Sequence, residues 1–396
     1  MGQFDDIRPY HDHEVAAVLQ RLLGQQEFLG TIAKYSLPRL SRHACWLARM
    51  LVRHSLASKV RNINSVTGLQ KLVAPYVDKT IRKATDGFSY TGLEQLEQSQ
   101  PCLFISNHRD IVMDPAYVNY ALYLAGFATP RLAIGDNLLQ RDFISDLMRL
   151  NKSFIVRRSV SGRREKLQAF IQLSAYINHS IRNEHSSIWI AQAEGRAKDG
   201  NDRTDSAILK MFGISRRELD FADSINQLRL VPVSISYEYD PCDLAKAREL
   251  YIRATTGSYS KSPGEDDASI ALGITGYKGR VHLSFATPLQ VAADCDARQC
   301  AADIDQIIWH NYRLFPVHYL AWHSWQERNR DLAVPAAEQL FSNEEIGQAQ
   351  QYLQQRLADR PQEQQPYLIM QYANALQNQY QQQAATDQAR QNKRQA

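Results

Sequence analysis

Long apolar runs are missing from this 396-residue chain. No stretch approaches the roughly 18–20 uninterrupted apolar residues that a spanning helix needs, and the mean hydropathy is −0.43. A polytopic membrane protein is therefore not expected. No apolar leader segment follows the polar start through Glu14, so a secretory signal is not expected either. Cysteine is scarce, with Cys45, Cys102, Cys242, Cys295 and Cys300 forming an odd, scattered set without a CxxC pair. That pattern suits reduced thiols rather than a disulfide scaffold. The glycine-rich dinucleotide fingerprint, the P-loop, the serine-hydrolase elbow and the HExxH zinc motif are all absent, which leaves those chemistries without local support. His11 with His13, and His318 with His323, are isolated pairs with no converging ligand set, so no metal site is expected.

Acidic residues are also missing from one whole segment. Between Phe28 and Val77 there is none, while Lys34, Arg39, Arg42, Arg49, Arg53, Lys59, Arg61 and Lys71 give +8, so the formal net charge of +4 leaves −4 for the remainder. Leu40, Ala44, Leu47 and Leu51 recur at helical spacing, with Arg42, Arg49 and Arg53 on the far side of the same helix. One use of such a segment is to lie on an anionic bilayer with Trp46 as an interfacial anchor, and the other is to serve as an ordinary bundle helix with a solvated Arg face. Few aromatics interleave with the cations, so nucleic acid is not an expected partner.

What is present is an ordinary globular composition, 44% hydrophobic, 22% charged and 9% aromatic. Residues 1–84 read as a helical domain. From residue 85 to about 330, short apolar runs alternate with helical stretches. The runs are residues 101–106, 131–134, 153–156, 187–191, 228–236 and 280–285, and the helices include residues 115–125, 138–150 and 163–182. This alternation predicts an α/β fold with a mostly parallel sheet flanked by helices. Residues 331–396 read as a polar helix, capped by Ser342 with Glu345, and a tail whose last 36 residues hold 12 Gln. This tail is expected to be partly helical and otherwise disordered.

In such a sheet the reactive groups gather beyond the carboxyl ends of the strands. After the first run stand Asn107, His108, Arg109, Asp110 and, at 114, a second aspartate ahead of Pro115. An imidazole held by a carboxylate at one nitrogen can take a proton from a hydroxyl with the other; the same residues also suit a structural hydrogen bond. Arg157 and Arg158 follow the third run, where paired cations could hold a phosphate or simply be solvated. Glu194, Gly195 and Arg196 follow the fourth, as an anion cradle or a plain turn. Pro232 interrupts the fifth, which suggests a bulge, a special turn or an edge strand.

The order of these blocks resembles the PlsC-like glycerolipid acyltransferase superfamily: Asn107-His108 with Asp114, then Phe154 to Arg158, then Glu194-Gly195-Arg196, then Val231-Pro232-Val233. The likeness spans roughly residues 85–290, and the helical segment ahead of it is similar to that of the soluble glycerol-3-phosphate acyltransferases. The resemblance implies acyl transfer from acyl-CoA or acyl carrier protein to a hydroxyl of glycerol-3-phosphate or a lysophospholipid, with no cofactor beyond the donor. It implies His108 as general base, oriented by Asp114, with Arg157 or Arg158, Glu194, Gly195 and Arg196 around the acceptor's phosphate. It further implies a cytoplasmic protein held peripherally at the inner face of a membrane. Two departures stand out. The family's aspartate lies five residues after the histidine, whereas Asp114 lies six after and Asp110 two; the following Pro115 favours Asp114, with Asp110 the alternative. The third block lacks the usual Thr-Arg, and Arg203 is a candidate for the displaced cation.

Overall fold

The computed structural model describes residues 2–326 and 328–395, with side chains as far as residue 388. Seven strands occur in chain order: β1 (Gly87–Thr91), β2 (Leu103–Ser106), β3 (Arg131–Gly135), β4 (Ser153–Val156), β5 (Ile188–Ala191), β6 (Leu230–Tyr237) and β7 (Arg280–Phe285). The chain groups into two units. One takes the residues up to Asp78 together with Pro130–Ser180, and the other takes Lys79–Thr129 together with everything from Ile181 onward.

The larger unit holds five strands in the order β1-β7-β6-β2-β5. All of their pairings are parallel except β6 with β7. β2, β5 and β6 are buried along their whole length, which is why they read as continuous apolar runs rather than alternating ones. The helix Met113–Leu124 packs Tyr117 against Phe88 of β1 and Tyr237 of β6 and buries Met113, Val118, Ala121 and Leu122, while Tyr312, Trp322 and Trp325 are buried and Trp309 is half-buried. The α/β architecture with a mostly parallel sheet is thus the one expected.

Pro232 lies on a central strand, opposite Ile105 of β2, and not at an edge or in a turn. Its carbonyl accepts the Ala286 N–H at 3.0 Å, so its missing N–H faces the β7 side. The antiparallel ladder with β7 begins one residue later, at Val233 opposite Phe285. The proline therefore removes a donor just where the ladder has ended, at little cost.

The Gln-rich tail is a correction to the expected disorder. Over the described residues it is one helix, Gln365–Gln395. Leu368, Tyr372, Ala373 and Leu376 are buried in a cluster with Phe315, Trp322 and Leu353 or in the adjoining core. Its carboxamides bind backbone carbonyls of other elements. Asn374 donates to the Asp199 carbonyl at 2.8 Å, and Gln379 donates to the carbonyls of Trp309 (2.9 Å), His310 (3.0 Å) and Tyr312 (2.8 Å). Before it, Ser342 and Glu345 form the expected capping box.

In the smaller unit, the helices Asp12–Gly24, Gln26–Ser36 and Cys45–Val60 pack with the helix Asp142–Leu150 through Leu22, Leu29, Ala48, Val52, Phe143 and Leu150. β3 and β4 pair in parallel here. Asp146 is held by Tyr10 (2.8 Å) and by Arg21 (2.6 and 2.8 Å). The single basic helix expected across residues 39–56 is broken at Ala44, which has extended geometry (φ −144°, ψ 66°) between Pro38–His43 and Cys45–Val60. The break rotates the apolar faces. Ala48 and Val52 point inward and Leu40 packs against them, while Trp46, Met50 and Leu51 are exposed. Among the described residues no helix is long and apolar enough to cross a membrane.

Gly200 has φ +80°, and a Cβ there would lie 2.2 Å from the Gln371 carbonyl oxygen of the C-terminal helix. Gly257 has φ +81° and open space around it. Gly200→Ala should therefore cost more than the backbone strain of about 1 kcal/mol expected for Gly257→Ala. Comparing the two thermal unfolding midpoints with wild type checks this; equal losses would mean that the tail helix does not press on the 199–202 loop.

Candidate active site

The β2–β6 ladder ends at Ser106 opposite Val233, and the side chain of Asn107 then continues it. Its amide donates to the Ile235 carbonyl at 3.0 Å, and its oxygen accepts the Ile235 N–H at 2.7 Å. A carboxamide suits this position because it presents one donor and one acceptor in a plane, as a peptide does. The next residue, His108, is thereby fixed just beyond the carboxyl end of a buried strand.

His108 Nδ1 lies 2.8 Å from Asp114 Oδ2. The same oxygen accepts the backbone N–H groups of Arg109 (2.6 Å) and Asp110 (2.9 Å), and Oδ1 accepts the Tyr237 hydroxyl at 2.6 Å. Asp114 is fully buried and sits in the first turn of Met113–Leu124, where the helix dipole favours a negative charge. Because Oδ2 already accepts from two amides, the proton shared with the imidazole sits on Nδ1, leaving a lone pair on Nε2. Among the described residues nothing bonds Nε2, and the His108 side chain keeps 15% of its surface exposed. The Trp189 ring stands edge-on to the imidazole at 6.0 Å between centroids.

Asp110 does not reach His108. Its Oδ1 accepts the N–H groups of Val112 (3.0 Å) and Met113 (2.8 Å), and its Oδ2 fits against Gly273, where a Cβ would come within 2.1 Å. Burial, with Asp114 nearby, raises its pKa. Asp110 therefore shapes the turn into the helix Met113–Leu124, and Asp114 is the imidazole's partner.

The loop is braced from beneath by buried ions. Arg109 pairs with Asp202 at 2.7 Å with its guanidinium 5.0 Å from the Tyr312 ring centre, and Lys246 donates to the Arg109 carbonyl (2.7 Å) and to Asp240 (2.5 Å). Asp202, Lys246 and Tyr237 were not singled out from sequence. Asp202 and Lys246 stand among other polar residues, and Tyr237 ends an apolar run like a core aromatic.

Of the other candidates, Glu194, Gly195 and Arg196 lie on a loop tied to the histidine, since Ala197 N–H donates to the His108 carbonyl at 2.8 Å. Gly195 is at φ +80°, Glu194 is exposed and Arg196 is half-buried. Lys198 contributes a further cation here, 3.3 Å from Glu249, with its pKa lowered by burial. Arg203 points elsewhere. It lies over Trp309 at 5.3 Å and lines a cavity of about 550 Å³ with Gln306, Asn378 and Thr386, which includes no residue of the His108 or Glu194–Arg196 loops. Arg157 and Arg158 belong to the smaller unit, where Arg157 pairs with Asp6 at 2.5 Å and Asp136 accepts the Arg158 N–H at 3.0 Å.

With ¹⁵N-labelled histidine, His108 should show a protonated Nδ1 whose signal moves in Asp114→Asn and stays in Asp110→Asn. Loss of the signal in Asp110→Asn alone would reverse the assignment of partners.

Comparison with known proteins bears on the same region. The 1-acyl-sn-glycerophosphate acyltransferase PlsC of Thermotoga maritima aligns over 72% of this chain and 95% of its own, at 14% identity and a TM-score of 0.35. The dihydroxyacetone phosphate acyltransferases of Homo sapiens and Bos taurus are 24% identical over 152 residues, 37% of this chain and 21% of theirs. This chain thus spans about a fifth of the length of the curated relatives it matches. Residues 87–235, which contain the Asn107–Asp114 loop, the Glu194–Arg196 loop and Tyr237's strand up to Ile235, match the acyltransferase family model. That segment is an acyltransferase domain.

Proposed function

We propose that the protein transfers a fatty acyl group from an acyl-CoA or acyl carrier protein thioester to a hydroxyl of glycerol-3-phosphate or a lysophospholipid. The observation that carries this reading is the buried Asp114 holding His108 with Nε2 open at the end of β2. In the proposed step Nε2 takes the acceptor's hydroxyl proton while that oxygen bonds to the thioester carbonyl carbon. The tetrahedral adduct then collapses, the C–S bond breaks, and the leaving thiolate recovers the proton from the imidazolium. Ester and free thiol are the products, and His108 ends neutral. The thioester is activated enough for direct attack, so no acyl-enzyme is required and positioning supplies much of the rate. Arg196, on the loop bonded to His108, is the cation best placed for the acceptor's phosphate, with Glu194 ordering cations and Gly195 providing the turn. The guanidinium groups of Arg157, paired with Asp6, and of Arg203, over Trp309, are already engaged, which counts against them at the phosphate.

The acyl donors and the lysophospholipid acceptors of such a reaction carry acyl chains, and the acid-free segment offers a surface for them. Trp46, Met50, Leu51 and Tyr35 are exposed there, Trp46 at 67% and Tyr35 at 79%, among Arg39, Arg42 and Arg53. An anionic bilayer would accept the apolar side chains at its interface and attract the cations. On this reading the protein works at the cytoplasmic face of a membrane as a peripheral enzyme.

His108→Ala should lower thiol release from acyl-CoA plus acceptor by roughly 10²–10⁴-fold, measured across glycerol-3-phosphate, lysophosphatidate and other lysolipids. Turnover unchanged in the variant excludes His108 as base. No release by the wild type with any donor, while vesicle binding persists, would favour a non-catalytic lipid-binding protein on the same fold. Binding to phosphatidylglycerol vesicles should fall with added salt and weaken sharply in Arg42→Glu/Arg53→Glu and in Trp46→Ala/Met50→Ala. Salt-independent binding, or full binding by both variants, counts against docking through this surface.

A further inference from the structure

Asp114 is held on both oxygens, and only one of them serves His108. The other accepts the Tyr237 hydroxyl at 2.6 Å. Tyr237 is the last residue of β6, paired with Val281 of β7, and its side chain is 3% exposed. Two residues earlier on the same strand, Ile235 receives the double hydrogen bond of Asn107. Residues two apart share a face of a strand, so β6 grips the histidine loop by its backbone at one position and the aspartate by a side chain at the next on that face.

We infer that Tyr237 is a positioning residue for the His108–Asp114 pair, a reading that rests on the acyl-transfer proposal. An aspartate can turn its carboxyl group about a broad torsion, and a histidine whose carboxylate turns loses its orientation and its tautomer. The Tyr237 hydroxyl fixes Oδ1, which leaves Oδ2 facing Nδ1. It also draws part of the carboxylate's charge toward itself, which moderates the field at the imidazole. Burial, with Asp114 and Asp110 beside it, raises the Tyr237 pKa well above the ordinary tyrosine range, in keeping with a hydroxyl that donates to Asp114. The other titratable groups around it are Tyr117, whose ring meets its own edge-on at 5.9 Å, and Tyr312. Phenylalanine would keep that ring packing and remove only the hydroxyl.

Two readouts test the assignment, one of which needs no turnover. In Tyr237→Phe the carboxylate loses a donor and pulls harder on the imidazolium, so the His108 titration midpoint followed by NMR should rise by about 0.3–1 unit. A ring-fluorinated tyrosine at 237, a stronger donor, should move it the other way. In thiol release, kcat should fall about tenfold, in line with losing an outer partner of a held histidine, while KM changes less than about twofold. In an Asp114→Asn background the same change should add little, because the partner is gone. A midpoint and kcat unchanged from wild type in both variants would reduce Tyr237 to packing, as would a loss that persists undiminished beside Asp114→Asn. If the wild type releases no thiol, the acyl-transfer proposal fails while the NMR midpoints still decide the role of Tyr237.

Discussion

A single fully buried carboxylate, Asp114, is the constraint on which the rest of the site depends. An isolated ionised carboxylate away from water is costly, and here four donors surround it: an imidazole, two amides and a phenol. Each comes from a different commitment of the fold. The amides require the loop after β2 to curl back over the start of the helix Met113–Leu124, the phenol requires β6 to run past β2 to Tyr237, and the imidazole requires Asn107 to be clamped to Ile235. The carboxylate is satisfied only when sheet order, loop and helix are all correct.

The buried ion pair beneath the loop follows the same logic. Arg109 turns inward to Asp202, and Asp202 Oδ2 also accepts the Asn107 amide at 3.3 Å. Through Asp202 the loop after β5 becomes a second support for the loop after β2. That support is itself pressed by the C-terminal helix, whose Asn374 binds Asp199 and whose Asn378 binds Asn201. Buried pairs of this kind add little net stability, yet removing one partner is severe. Their use here is to hold one loop geometry rather than to strengthen the core.

Much of this was legible in the sequence, because continuous apolar runs ending in polar residues mark parallel strands and their carboxyl ends. Ser153–Val156 and Arg280–Phe285 fall where the runs placed them, and His108 lies where a strand-end histidine should. The choice of Asp114 over Asp110 leaned on Pro115 alone, since a one-residue lengthening can be taken up on either side. The hydrogen bonds separate them, with Asp114 on His108 and Asp110 on the Val112 and Met113 amides. Tyr237 was hidden because an aromatic at the end of an apolar run looks like core until its hydroxyl is seen. The tail misled for a related reason: Gln and Asn suggest solvation by composition, but a carboxamide can equally satisfy backbone. The basic segment carried the right charge on a wrongly predicted face, because one residue, Ala44, ends the helix that periodicity had continued.

The central claim is that His108, fixed by Asp114, takes the acceptor's proton as the ester forms. The most direct measurement is the pH dependence of thiol release in a single turnover with acyl donor and acceptor both saturating. The account predicts a rate that rises with pH through one ionisation and then levels, with that limb absent from His108→Ala, whose residual rate should climb steadily with hydroxide. A limb that survives unchanged in His108→Ala would contradict the account, because some other group would then be taking the proton.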